Sequence, residues 1–199
     1  AAVIYLDSAA TTLQKPPSVA RATAHAIDHL ASPGRGGHRP AMAAADTAFA
    51  CREEAAALFH VTSVDQVVFT FNATHGLNIA IKTLVHPGDR VVISGYEHNA
   101  VTRPLHAIPE VEILVARSPL FDRQGMIDSF RQCLDQGADA AICTHVSNVF
   151  GFILPIQEIA ELCRQREVPL IVDASQSAGV LPLDIQELGA AFVAMPGHK

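Results

Sequence analysis

At 199 residues, with 49% apolar and 17% charged side chains, the chain can bury a full core and lacks the composition of a disordered polymer. Its net charge is −6 with ten His counted neutral, and no basic run exceeds two adjacent residues, so there is no electrostatic case for a nucleic-acid partner. The apolar runs fall far short of the roughly 20 residues of a membrane span, and the opening Ala1-Ala2-Val3-Ile4-Tyr5-Leu6-Asp7 lacks the basic and long apolar regions of a secretory signal.

Residues 1–15 read as an N-terminal extended segment, carried by Ile4-Tyr5-Leu6-Asp7-Ser8-Ala9-Ala10-Thr11-Thr12. The Pro16-Pro17 pair starts a helix running to about residue 30, because proline is tolerated in a first turn. Ser32-Pro33-Gly34-Arg35-Gly36-Gly37-His38 is a loop, and an Ala-rich helix follows over 40–60 with helical apolar spacing and no internal Gly or Pro. From residue 67 onward strands and helices alternate. Helices are expected over 75–85, 99–106, 126–136 and 155–166, with Pro87-Gly88-Asp89 and Gln136-Gly137-Ala138-Asp139 as returns to strands. This alternation predicts an α/β fold with three α/β/α layers and a mostly parallel sheet, in one domain over 16–199.

Five segments share one organisation: a short apolar stretch, then polar residues at its carboxyl end. Residues 67–70 lead into Asn72-Ala73-Thr74-His75, 90–94 into Glu97-His98-Asn99, and 140–144 into His145-Val146-Ser147-Asn148. Residues 169–172 lead into Asp173-Ala174-Ser175-Gln176, and 191–194 into Met195-Pro196-Gly197-His198-Lys199. In a parallel α/β sheet the carboxyl ends of the strands converge on one crevice. A site there collects an Asp, a Lys, several His, a Gln, an Asn and a Thr, a set suited to an aldehyde cofactor with a phosphate and a basic ring nitrogen.

Each member has a functional and a plain reading. Asp173 follows an apolar run, and a half-buried carboxylate is costly unless it meets a cation such as a protonated heterocyclic nitrogen; alternatively it caps the turn at Ser175 or Gln176. Lys199, 26 residues later, can form a Schiff base if its pKa is lowered, or stand in a surface loop. His98 can stack on a flat ring and move protons, or be a surface histidine. The segment Asn72-Ala73-Thr74-His75-Gly76 opens a helix, where free N–H groups and the Thr74 hydroxyl suit a phosphate; N-capping is compatible with that role. Asn148 and Gln176 can donate to a phenolic oxygen or bond within their loops.

Other groups carry less. Cys51, Cys133, Cys143 and Cys163 form no CxxC pair and read as buried thiols of a cytoplasmic protein. His25 and His29 have metal-competent i, i+4 spacing, but residue 26 is Ala where an HExxH site needs Glu, and no third ligand is evident; no metal is expected. Gly34-Arg35-Gly36-Gly37 follows a helix and is not GxGxxG, which disfavours a dinucleotide fold.

Six pieces in order resemble the large domain of class V, fold-type I pyridoxal-phosphate enzymes, the cysteine desulfurase and selenocysteine lyase group above all. They are Tyr5-Leu6-Asp7-Ser8-Ala9-Ala10-Thr11-Thr12, Phe69-Thr70-Phe71-Asn72-Ala73-Thr74-His75-Gly76-Leu77-Asn78, Glu97-His98-Asn99, His145-Val146-Ser147-Asn148-Val149-Phe150-Gly151, Val172-Asp173-Ala174-Ser175-Gln176-Ser177 and Gly197-His198-Lys199. The resemblance implies a sheet of the seven-stranded type. It makes Lys199 the Schiff-base lysine, Asp173 the partner of the pyridine nitrogen, and His98 the residue stacked on the ring. Gln176 and Asn148 would approach the phenolic oxygen, while Ala73, Thr74 and His198 would hold the phosphate of pyridoxal 5'-phosphate.

The implied activity converts L-cysteine to L-alanine and passes sulfur to an enzyme cysteine as a persulfide; selenocysteine lyase, class V aminotransferase, β-eliminating lyase and a non-catalytic scaffold are the alternatives. A homodimer and a sulfur-acceptor protein are implied with it. Pro196 departs from the Ser or Thr that often contacts the phosphate, and Ser8 from a frequent Asn. None of the four cysteines matches the family nucleophile. That residue and the arginine for the substrate carboxylate are expected beyond residue 199, with a C-terminal small domain.

Overall fold

A computed structural model describes residues 4–199; Ala1, Ala2 and Val3 of the expected extended segment lie outside the described residues. The chain divides into two compact units, one ending at Phe69 and the other Thr70–Lys199.

In the first unit, residues 8–10 form a turn, closed by the Ala10 N–H on the Asp7 carbonyl at 3.0 Å. The Tyr5 hydroxyl donates to the Thr11 carbonyl at 2.7 Å. Helix α1, Pro17–His29, begins at the predicted proline, and α2, Arg39–Leu58, follows the loop. A single 3-10 turn, Val64–Gln66, is capped by Ser63.

The second unit carries the alternation: α3 Ala73–Leu84, β1 Arg90–Ser94, α4 Asn99–His106, β2 Glu112–Ala116, α5 Arg123–Leu134, β3 Ala140–Thr144, α6 Ile156–Arg164, β4 Leu170–Asp173, α7 Ile185–Leu188 and β5 Phe192–Ala194. The five strands are parallel throughout, in the order β2-β1-β3-β4-β5. The chain therefore leaves β1 in one direction to reach β2, then returns past β1 to build β3, β4 and β5. Because crossovers are right-handed, this reversal sends the connecting helices to opposite faces. Leu77, Ile81, Val101 and Leu105 of α3 and α4 pack with Val91, Ile93 and Ile142 on one face. Met126, Phe130, Ile159 and Cys163 of α5 and α6 are buried beneath the other. Fully burying a side chain such as Phe130 contributes about 1.5–3 kcal/mol relative to exposure.

The expected three α/β/α layers and parallel sheet are present, and the described residues supply five strands where the resemblance implied a seven-stranded type. Residues 67–70, expected to form a strand, join no ladder among the described residues, so they are not one; Val67 itself has extended backbone. Residues 112–116, which the sequence left unassigned, form the edge strand β2. Both predicted helix-to-strand returns turn on a left-handed glycine, Gly88 at φ 87° and Gly137 at φ 86°. No helix among the described residues is long and apolar enough to cross a membrane.

Candidate active site

The strand order places a crevice where the direction reverses, between the carboxyl ends of β1 and β3, which is where open α/β sheets bind ligands. A cavity of about 160 Å³ opens there, and all eight predicted site residues line it.

Asp173 forms its floor. The β-branched and apolar run Leu170-Ile171-Val172 makes β4 a buried strand, and Asp173 ends it at 4% exposure. One carboxylate oxygen, Oδ1, accepts the Ser175 N–H at 2.9 Å, so the turn-capping role exists alongside any other. Lys199 is half-buried and follows β5 after Met195-Pro196-Gly197-His198. Asp173 and Lys199 thus come from adjacent strands into one space.

Ala73 and Thr74 begin α3. The Asn72 side chain caps that helix, its Oδ1 accepting the His75 N–H at 2.8 Å. The first N–H groups of a helix have no partner within it, and the macrodipole there favours an anion. Exposed His98 caps α4 in the same manner, its Nδ1 accepting the Ala100 N–H at 3.1 Å. That bond leaves Nε2 to carry the proton of a neutral ring. Asn148 after β3, Gln176 after β4 and His198 after β5 complete the rim. The arrangement offers a buried anion, an amine, an imidazole and an anion-binding helix terminus around one small opening.

Several contributors were not singled out in the sequence. Thr144, Val146 and Ser175 also line the cavity. Glu97 matters more. It appeared only as a motif neighbour of His98, yet its carboxyl is drawn inward to bridge two strands. Its Oε1 accepts the Thr144 N–H at 2.7 Å and the Ser94 hydroxyl, while Oε2 is buried without a partner. Burial pushes its pKa up to about 8, against the lowering effect of those two bonds, and the Asp173 charge adds to the rise. A carboxylic residue just after an apolar strand was the available signal.

His145 is 7% exposed and does not line the cavity. Burial, then the Arg123 charge, lowers its pKa, and its Nδ1 has no partner. The expectation of buried thiols holds for Cys133, Cys143 and Cys163; Cys51 is exposed on α2, a correction to it. Burial raises the Cys143 thiol well above its ordinary value and Cys163 to about 12. Neither is a nucleophile in this state. His25 and His29 stack with centroids 4.5 Å apart, and no metal-competent group of three His, Cys, Asp or Glu exists among the described residues.

The family model described as Aminotransferase class-V matches residues 4–199. The chain belongs to the class-V aminotransferase family. A protein of Methanothermobacter thermautotrophicus described as "Probable cysteine desulfurase" is 31% identical over 98% of this chain and 49% of its own length. A Synechocystis protein of the same description is 30% identical over 99% of this chain and 48% of its own. Among solved structures, the apo cysteine desulfurase of Thermococcus onnurineus superposes with a TM-score of 0.88 at 26% identity, covering 99% of this chain and 50% of that one. The chain therefore spans about half the length of the curated relatives it matches.

Proposed function

We propose that this class-V chain is the pyridoxal-phosphate-binding large domain, over 16–199 and preceded by segment 1–15, of a cytoplasmic, homodimeric cysteine desulfurase. It would take L-cysteine to L-alanine and pass the sulfur to an enzyme thiol and then to an acceptor protein. The observation that carries this is the delivery of Asp173 and Lys199 from adjacent strands into one cavity closed by the α3 N-terminus. Curated relatives described as cysteine desulfurases support it.

The donor set fits the cofactor. Asp173, buried and anionic, suits the proton of a ring nitrogen; Ala73, Thr74 and His198 suit the phosphate; Lys199 suits the aldehyde. When bound, pyridoxal phosphate supplies an electron sink for charge developing on the substrate. The chain's residues would prepare it. Asp173 holds a proton at the ring nitrogen through a carboxylate already fixed by Ser175. His98, clamped at Nδ1 by Ala100, presents its ring to the cavity in one orientation. The hydrogen-bonding side chains of Asn148 and Gln176 set the in-plane position. Lys199, once its amine is free and neutral, takes the proton from the substrate α-carbon. With Pro196 in place of a hydroxyl residue, phosphate binding relies on the helix terminus, Thr74 and His198. None of Cys51, Cys133, Cys143 and Cys163 lines the cavity, and the nucleophilic thiol would come from beyond residue 199.

The test is full-length protein with and without Lys199→Ala, given pyridoxal phosphate and L-cysteine. The wild type is expected to gain visible absorbance and release alanine, and the variant to do neither. Turnover by Lys199→Ala would remove the assignment. Release of a keto acid, or of pyruvate with ammonia, would redirect it to an aminotransferase or a β-eliminating lyase, and preference for selenocysteine to a selenocysteine lyase.

A further inference from the structure

The ladder between β1 and β3 stops short. It pairs Val91 with Ala140, Val92 with Ala141 and Ile93 with Ile142, and goes no further. On the other side of β3 the pairing continues to Thr144 and Asp173. The sheet therefore opens between β1 and β3 one residue pair before Thr144, at the mouth of the cavity. An opened ladder leaves buried backbone groups in need of partners. Here the Thr144 N–H is satisfied by a side chain: Glu97, from the turn after β1, reaches across and accepts it at 2.7 Å.

The same oxygen is also engaged from β1. The Ser94 hydroxyl donates to Oε1, and Ser94 Oγ itself accepts the Tyr96 N–H at 3.2 Å. Ser94 and Thr144 are 1% and 5% exposed. Oε1 thus has two donors and Oε2 has none, although Oε2 is fully screened from solvent. A buried, unpartnered carboxylate oxygen is far more costly as an anion than as a hydroxyl. Asp173 lies across β3 as the register partner of Thr144, and a second anion beside it adds repulsion.

We propose that Glu97 is a positioning residue that stands in the resting protein as a neutral carboxylic acid, with its proton on Oε2, closing the gap between β1 and β3 behind the cavity and sparing Asp173, the acidic side chain of the cavity lining, a second anion in its surroundings.

Two consequences follow for the site. Fixing Glu97 to β3 fixes the backbone of the next residue, His98, which caps α4 at the cavity rim. Keeping Glu97 neutral lets the site hold a single negative charge, matched to one protonated ring nitrogen. This second consequence rests on the pyridoxal-phosphate reading; the protonation of Glu97 does not. The charge that reaches Glu97 is that of Asp173 at the end of β4, and Glu97 in turn acts on Cys143 in β3, raising its pKa further. The Cys143 thiol stays neutral because burial raises its pKa well above the ordinary value. No ion pair to Glu97 occurs among the described residues.

The sign of the pH effect is fixed by the direction of the shift. The carboxyl titrates near 4.5 when unfolded and at about 8 when folded. The folded state then binds more protons between those values, so this contribution to stability is complete below 4.5 and is withdrawn as pH rises through about 8.

The experiment uses the full-length apoprotein, as wild type and as Glu97→Gln, which keeps the shape of the neutral acid. Infrared spectra of the wild type at about pH 6 should carry the carbonyl band of a protonated carboxylic acid, lost by about pH 9.5. That band should be missing from Glu97→Gln throughout the interval from about pH 6 to about pH 9.5, where ordinary carboxyl groups are ionised. The melting temperature of Glu97→Gln relative to wild type should rise across the same range. If Glu97→Gln does not fold, the wild-type infrared titration decides alone, and Asp173→Asn should shift its midpoint to lower pH. A band that persists in Glu97→Gln, a wild-type spectrum without it, or a melting-temperature gap constant with pH overturns the proposal. Adding pyridoxal phosphate afterwards tests the cofactor reading separately: no visible absorbance sinks that reading and leaves the infrared result standing.

Discussion

Asp173 on β4 and Ala194 on β5 are register partners, and Lys199 leaves the sheet five residues after Ala194. A carboxylate and an amine thereby enter one cavity from neighbouring strands, the acid at the floor and the amine half-buried. If they grip opposite sides of one ring, removing the acid should spare cofactor attachment and damage turnover. Asp173→Ala is expected to retain some visible absorbance with pyridoxal phosphate while alanine formation falls by on the order of 10²-fold or more. Near-normal rates would contradict the electron-sink assignment.

Asn72 has two consequences in one side chain. Its Oδ1 caps α3 through the His75 N–H, and it stands beside the residues proposed for the phosphate. Asn72→Ala should cost about 1 kcal/mol in denaturant unfolding of the apoprotein. The affinity for pyridoxal phosphate should fall with it, because a frayed first turn no longer aims its N–H groups. Equilibrium unfolding and cofactor titration measure the two separately.

His145 sets an acid limb. Burial, with the Arg123 charge behind it, holds the folded imidazole below its ordinary value of 6.5. The unfolded state then binds more protons as pH falls through 6.5, so stability falls with it. The melting temperature of His145→Asn, compared with wild type, should rise in relative terms below that pH and stay level above it. Parallel curves would show that His145 is solvated as well in the folded chain as in the unfolded one.

The thiols should separate by burial. Cys51 is exposed, whereas Cys133, Cys143 and Cys163 are buried with pKa values raised by desolvation. Iodoacetamide at neutral pH should modify Cys51 in the native protein and reach the other three only after unfolding, as read by peptide mass spectrometry.

Much of this architecture was visible in the residues themselves. Strands β1 and β3 and helix α4 carry the predicted boundaries because each has a strong local signal: an apolar run, a turn glycine before it, or a capping residue. The cavity followed from the rule that parallel strands empty polar residues at one end. What failed depended on neighbours. Residues 67–70 have strand composition but join no ladder among the described residues, and β2 has a mixed face because β1 is its only ladder partner among them. Glu97 was overlooked because its role arises where one ladder ends, and sequence does not reveal where pairing stops.

The strand order also bears on how the protein comes to life. His98, Asn148, Asp173 and Lys199 stand at or beyond the carboxyl ends of four different strands, and the chain must return past β1 before the last three can meet the first. No hairpin or local fragment contains the whole set, so the crevice comes into being only when distant parallel pairings have closed, which is the slow part of folding. A molecule captured there would bind the finished sheet and not its precursors, and would stabilise it by mass action. Cofactor uptake would then serve as a clock for the completion of folding.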